Sequence, residues 1–284
     1  MSVLGSFQDW SELAQTLGVQ EAISSSTEDA YQQVWMHHVA GQRDPGVMTV
    51  QGGLLADRLA WVFVAGYQSA LRHTFMDQTF AGWGAFAVSE DRRGDPPLPG
   101  VDYEQVEDSF VLSGHKTWVA TVNSIEHLVI KAGRGERALY FNIPRYTEGL
   151  DFSARNANFL GEMSQGSAHL VNVKLPADAA LDAGAVAQFG QREALYIYLA
   201  FLAYAGRTWL RDSAQQDCLR LIQRLQRALS ERSLPIAEVK ALDLAVQGVL
   251  AAVGPAAGAN NERWGKDQRL ISMYSPGLQK RQIT

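Results

Sequence analysis

The sequence predicts an α+β fold laid out in three successive stretches: a helical region over 1–78, a β domain over 79–182 and a helical bundle over 183–284. Two observations carry this. Before 78 and after about 186, apolar residues return at helical spacing, whereas the middle alternates short β-branched and aromatic runs with Gly and Pro, roughly ten residues apart. The composition agrees, since 46% hydrophobic and 19% charged residues in 284 exclude low-complexity disorder and supply a large core.

In the first stretch, Ser24 to Asp29 is a capping run ahead of Ala30, Val34, Trp35 and His38. After a break at Gly41 to Gly46, the residues Leu54, Leu55, Leu59, Phe63 and Tyr67 share one helical face. Strands are expected at Phe86 and Val88, Phe110-Val111-Leu112, Trp118 to Val122, Leu128-Val129-Ile130, Ala138 to Phe141, and Leu170 to Pro176, where the proline ends the run. Such evenly spaced strands argue for an antiparallel barrel or sandwich rather than βαβ units. In the last stretch three stripes follow: Leu195 to Leu210, then Leu219, Ile222, Leu225 and Leu229, then Val239 to Val253 after a start at Pro235. Gly254 to Gly258 is expected to end the third, with one more helix from Trp264 to Tyr274.

Charge and motifs remove several function classes. A net charge of −5 leaves no basic field for nucleic acid. The lone Cys218 forms no internal disulfide and reads as a small buried side chain in a reducing compartment. Residues 1–6 show no basic segment followed by an apolar run, and no stretch approaches the ~20 apolar residues of a spanning helix, so a soluble cytoplasmic protein without a membrane span is expected. His37 and His38 are adjacent and do not clamp a metal as an i, i+4 pair would, so no metal site is expected. No Gly-x-Gly-x-x-Gly turn, Walker loop or Gly-x-Ser-x-Gly elbow is present.

One longer constellation is specific. Ala85 to Glu90 reads Ala-Phe-Ala-Val-Ser-Glu and precedes Gly94-Asp95; Phe110 to Val119 reads Phe-Val-Leu-Ser-Gly-His-Lys-Thr-Trp-Val; Ile125-Glu126, Leu160-Gly161 and Val171 to Pro176 follow in order. The series resembles the middle domain of the acyl-CoA dehydrogenase family, with its strand ending in Thr-Glu, its Gly-Ser-Asp turn, and its Leu-x-Gly-x-Lys-x-Trp-Ile, Leu-Gly and Val-x-Val-Pro elements. Gly254 to Gly258 is similar to the family's Gly-Gly-x-Gly turn, and Asp267 to Tyr274 to its Arg-Asp-Ala-x-x-x-x-Ile-Tyr helix. The family's order of helical, β-barrel and four-helix domains matches the three textures.

The resemblance implies FAD as cofactor, an acyl thioester of CoA or of an acyl carrier protein as substrate, and a homodimer or tetramer. It implies that the backbone of Phe86 and Val88 and the hydroxyl of Ser89 contact the isoalloxazine edge and that Trp118 packs near the ring, although Trp118 also reads as a plain core residue. Gly94, Asp95 and Tyr274 fall on substrate-binding positions.

Departures from the family are equally specific. The catalytic Glu that should follow the Ile-Tyr pair is Ser275, after Met273-Tyr274 and before Pro276 and Gly277. A serine without an activating partner is no base near neutral pH. Some members carry the Glu on an earlier helix, and Glu193 falls near that place, although a Glu at a helix start also serves the helix dipole. The Thr that reaches the ring is Ala120, followed by Thr121. No Arg-x-x-Phe-Gly loop follows Arg211, and both helical regions are abbreviated. Three readings result: an acyl-thioester oxidoreductase with a relocated base, a flavin monooxygenase on the same fold, or a degenerate subunit that scaffolds or partners a complete relative in a hetero-oligomer.

Overall fold

The computed structural model of the chain describes residues 4, 7–19, 21–231, 235–260 and 263–280, so most of the N-terminal segment read above lies outside the described residues. The chain divides into two compact units, one of residues 74–188 and one of residues 1–73 with 189–284. The N-terminal and C-terminal helices therefore share a unit.

The helical unit holds α1 (Trp10–Thr16), α2 (Glu28–His38), α3 (Pro45–Leu55), α4 (Leu59–Thr74, whose last residue falls in the other unit), α6 (Phe189–Thr208), α7 (Asp212–Ser230), α8 (Ile236–Asn260) and the short turns α9 (Trp264–Asp267), α10 (Arg269–Ser272) and α11 (Ser275–Gln279). Local chemistry sets the starts. The Thr27 hydroxyl accepts from the Ala30 amide at the head of α2, and Asp44 Oδ1 accepts from Gly46 N at 2.7 Å and Val47 N at 3.2 Å, with Pro45 at the first helical position of α3. The stripe from Leu54 to Tyr67 is two helices, broken at Ala56-Asp57-Arg58, where Ala56 turns to extended backbone. α6 is the central helix, buried over nearly its whole length. Its neighbours approach closely because they present glycine: a Cβ on Gly53 of α3 would lie 2.4 Å from Ala200 O, and one on Gly66 of α4 would lie 2.6 Å from Ile197.

The Gly254 to Gly258 segment does not end the third helix. α8 runs through Pro255 to Asn260. Pro255 sits within the last two turns, where the lost amide bond falls near the helix end, and so is tolerated. The segment expected as one helix from Trp264 to Tyr274 is the pair of short turns α9 and α10. Among the described residues no helix is long and apolar enough to cross a membrane.

The β unit holds β1 (Trp83–Ala87), β2 (Asp102–Val106), β3 (Ser109–Ala120), β4 (Ile125–Ala132), β5 (Leu139–Pro144), β6 (Leu150–Arg155), β7 (Gln165–Pro176) and the short helix α5 (Ala183–Val186). These make two open sheets, ordered β1-β4-β5 and β2-β3-β7-β6, and no closed barrel forms among the described residues. One pairing departs from the antiparallel expectation: β1 runs parallel to β4, with Ala85 opposite Leu128. The intervening chain crosses into the second sheet as β2 and β3 before returning, the long connection a parallel pair requires. The two runs at Phe110 and Trp118 are one twelve-residue strand, β3. The sheets meet through aromatic edges, with Phe110 of β3 5.1 Å from Phe141 of β5. Strands β2 and β6 carry mostly exposed polar side chains and left no apolar run to read.

Candidate functional site

In the β unit the two motifs singled out by sequence are joined by a buried ion pair. Lys116 of β3, with no exposed side-chain surface, places Nζ 2.7 Å from Glu90 Oε1 just beyond β1. Burial lowers the lysine's pKa, and the Glu90 hydrogen bond and charge oppose that. Gly114 lets β3 pass this place: its φ is +130°, and a Cβ there would meet Gly100 O at 2.3 Å. The pair escaped the sequence reading because Glu90 and Lys116 are 26 residues apart and appeared only as letters of separate motifs.

Around it lie the residues expected at a flavin ring. Phe86 is buried in β1, while Val88 and Ser89 are exposed immediately after the strand ends. The Ser89 carbonyl accepts from Thr117 N at 2.9 Å, which holds this exit against β3. Trp118 is half-buried, and its Nε1 donates to Gln165 Oε1 at 3.2 Å. Ala120 is fully buried and brings no hydroxyl. Thr121 is fully buried with φ +50°, and its hydroxyl has no hydrogen-bond partner among the described residues. A β-branched residue in the left-handed region with an unsatisfied hydroxyl is strained in both respects. Gly94 and Asp95 lie on an exposed loop ordered by Asp91, whose carboxylate accepts from Leu98 N, Arg93 N and Gly94 N at 2.9–3.0 Å. Those amides, Leu98 foremost, hold the Asp91 carboxyl below the usual range. Asp91 is a second residue that sequence reasoning missed, and its only signal was the Gly-Pro texture that follows.

The helical unit brings Glu193 and Tyr274 together. Glu193 sits inside α6, beyond its first turn, so it is not a cap residue. The Tyr274 hydroxyl donates to Glu193 Oε1 at 3.2 Å. Burial pushes the Glu193 carboxyl up to about 7, against the Tyr274 hydrogen bond, which lowers it. Burial and the Glu193 charge hold the Tyr274 phenol well above its ordinary value, so it stays a donor.

Ser275 points elsewhere: its hydroxyl donates to Asp243 Oδ2 at 2.7 Å, which supplies the partner that the sequence did not reveal. Cys218 is buried with Sγ 3.2 Å from Leu202 O, and burial pushes its thiol up to about 12, an inert core position. A cavity of about 380 Å³ lies where the start of α3, the end of α4, α6 and the end of α7 meet, lined by Asp44, His73, Tyr196 and Gln226 among others. Its carboxylate caps α3 and holds Gln226, and its imidazole Nδ1 lies 2.8 Å from Tyr196 Oη, so both groups are already engaged. Among the described residues no group of three or more His, Cys, Asp or Glu is placed to hold a metal.

No family model matches the chain, and no curated protein matches its sequence. Solved structures do match it. A prolyl acyl carrier protein oxidase, AnaB, superimposes with a TM-score of 0.69 at 13% identity over 95% of each chain. Butyryl-CoA dehydrogenase from Megasphaera elsdenii gives 0.60 at 10% identity over 99% of each chain. Glutaryl-CoA dehydrogenase from Mycobacterium smegmatis in complex with FADH2 gives 0.61 at 12% identity, covering 93% of this chain and 89% of that one. The chain has the acyl-CoA dehydrogenase-like fold. At such identities the likeness establishes architecture, and the chemistry rests on the residues of this chain.

Proposed function

We propose that this acyl-CoA dehydrogenase-like protein is a flavin-linked oxidoreductase acting on an acyl thioester, with Glu193 as the base in place of the residue lost at Ser275. The observation that carries the reading is the Glu193 carboxyl, raised to about 7 and bonded to a Tyr274 phenol that keeps its proton. A carboxyl of that affinity is divided between its two forms near neutral pH, where a general base works best.

The β-unit residues fit FAD. The unsatisfied Thr121 hydroxyl offers the polar contact that Ala120 lacks, Ser89 offers a second, and the half-buried Trp118 indole, fixed by Gln165, offers a wall that excludes water. When bound, FAD supplies a two-electron acceptor. Glu193 takes the proton from the carbon next to the thioester carbonyl and holds it on its carboxyl group, while Tyr274 steadies the carboxylate beforehand. The substrate is an acyl group on CoA or on an acyl carrier protein, classes named for the structural neighbours.

A second reading, a non-catalytic subunit pairing with a complete relative, is favoured by the methyl group at Ala120 and by the engagement of Ser275 with Asp243. The visible spectrum of purified protein after loading with FAD separates the two. Retained flavin and thioester-dependent reduction of an artificial electron acceptor, lost in Glu193→Gln, support the oxidoreductase; protein that stays colourless supports the subunit.

A further inference from the structure

Asp243 of α8 is fully buried and has no cationic partner among the described residues. Four neutral donors surround it instead. Tyr198 Oη at 2.6 Å and Gln247 Nε2 at 3.3 Å donate to Oδ1, while Ser275 Oγ at 2.7 Å and Gln279 Nε2 at 2.6 Å donate to Oδ2. Gln247 also reaches Ile271 O at 3.1 Å, and Gln279 reaches Lys240 O at 3.0 Å. One carboxylate thus gathers α6, α8 and the segment 271–279. Burying a carboxyl group is costly, and hydrogen bonds from four donors to its two oxygens are what offset it.

The gathered segment carries the other half of the Glu193 contact. Tyr274 is adjacent to Ser275, its ring meets Tyr198 edge-on at 6.4 Å, and its hydroxyl lies on Glu193 Oε1. α10 and α11 are only four and five residues long and cannot hold their shape unaided. The groups bearing on this contact are Tyr274 itself, Tyr67 from α4 and Tyr198 from α6. The neighbouring Arg192 is turned to the His73 carbonyl.

We propose that Asp243 is the positioning residue of the Glu193 site: by anchoring Ser275 and Gln279 it holds the Tyr274 hydroxyl on the Glu193 carboxylate. Ser275, at the family's base position, thereby serves as an anchor. The functional meaning rests on Glu193 being the base, but the coupling itself can be read without substrate or flavin.

The test is an infrared titration of the Glu193 carboxyl in the full chain labelled with ¹³C-glutamate, assigned by its loss in Glu193→Gln. Tyr274→Phe removes a bond that favours the charged form, so the midpoint rises by about one pH unit or more. Asp243→Asn raises it in the same direction, and adds nothing in the Tyr274→Phe background. A midpoint left at the wild-type value by Asp243→Asn, or one that rises equally with and without Tyr274, overturns the proposal. Should Asp243→Asn fail to fold, Ser275→Ala with and without Tyr274→Phe decides it by the same comparison. Absent coupling with turnover still dependent on Glu193 refutes the positioning role alone; intact coupling with turnover independent of Glu193 refutes the base alone.

Discussion

Replacing Glu90 by Gln leaves the Lys116 ammonium without its counter-charge in a site where it has no exposed surface. Removing one partner of a buried pair costs about 3–5 kcal/mol, and because the Glu90 side chain is 20% exposed the lower end, about 3 kcal/mol, applies. Arg134, 3.8 Å from Glu90 and 84% exposed, changes this little. The sign with pH follows from the depressed lysine. Its folded-state pKa lies below 10.5, so between the two values the unfolded chain binds more protons and stability rises with pH. Without Glu90 the folded-state value drops further and the window widens, so the deficit is full below it and shrinks as pH climbs toward 10.5. Urea unfolding followed by tryptophan fluorescence checks both parts. At a slope of about 2 kcal/mol/M the midpoint at about pH 7 falls by roughly 1.5 M, and part of that loss returns at about pH 9.5. A fall under roughly 0.3 M, or a deficit equal at both pH values, refutes the reasoning.

Glu193→Gln abolishes thioester oxidation yet stabilises the protein above neutral pH. The carboxyl's folded-state pKa, about 7 against 4.5, makes the wild type lose stability as pH rises through that window, on the order of 3 kcal/mol, while Gln does not titrate; thermal melts at about pH 8 and pH 5 show the difference. Thr121→Val removes an unsatisfied buried hydroxyl, so the flavin-free protein gains about 1 kcal/mol while FAD retention on a desalting column weakens. A gain in both would remove Thr121 from the cofactor site. Gly66→Ala drives a methyl to 2.6 Å from the Ile197 backbone and costs about 1–3 kcal/mol in calorimetry, more than a helix-propensity gain can offset.

Much of the architecture could be read from local pattern. The run holding Thr27 announces its helix by capping chemistry, Pro176 closes β7 where expected, and the stripe of Leu219 to Leu229 is α7. What escaped was set by partners distant in sequence. The parallel pairing of β1 with β4 depends on the sheet to which β2 and β3 belong, and no periodicity encodes that. The continuation of α8 through Pro255 shows a local breaker overruled near a helix end. At the site, the motif letters located Glu193, Tyr274 and Ser275, but not that the first two share a hydrogen bond and the third is taken up by Asp243. Nothing in the local sequence marks Asp243, between Leu242 and Leu244, because its role lies in four donors drawn from three segments.

The central claim is that Glu193 serves flavin-linked oxidation of an acyl thioester. The most direct measurement is an anaerobic titration of FAD-loaded wild-type and Glu193→Gln protein with acyl-CoA and acyl-carrier-protein thioesters, following the flavin's visible absorption. The account predicts bleaching by at least one thioester in the wild type, and retained colour without bleaching in the variant. Protein that cannot be loaded with FAD, or bleaching that persists unchanged in Glu193→Gln, contradicts it.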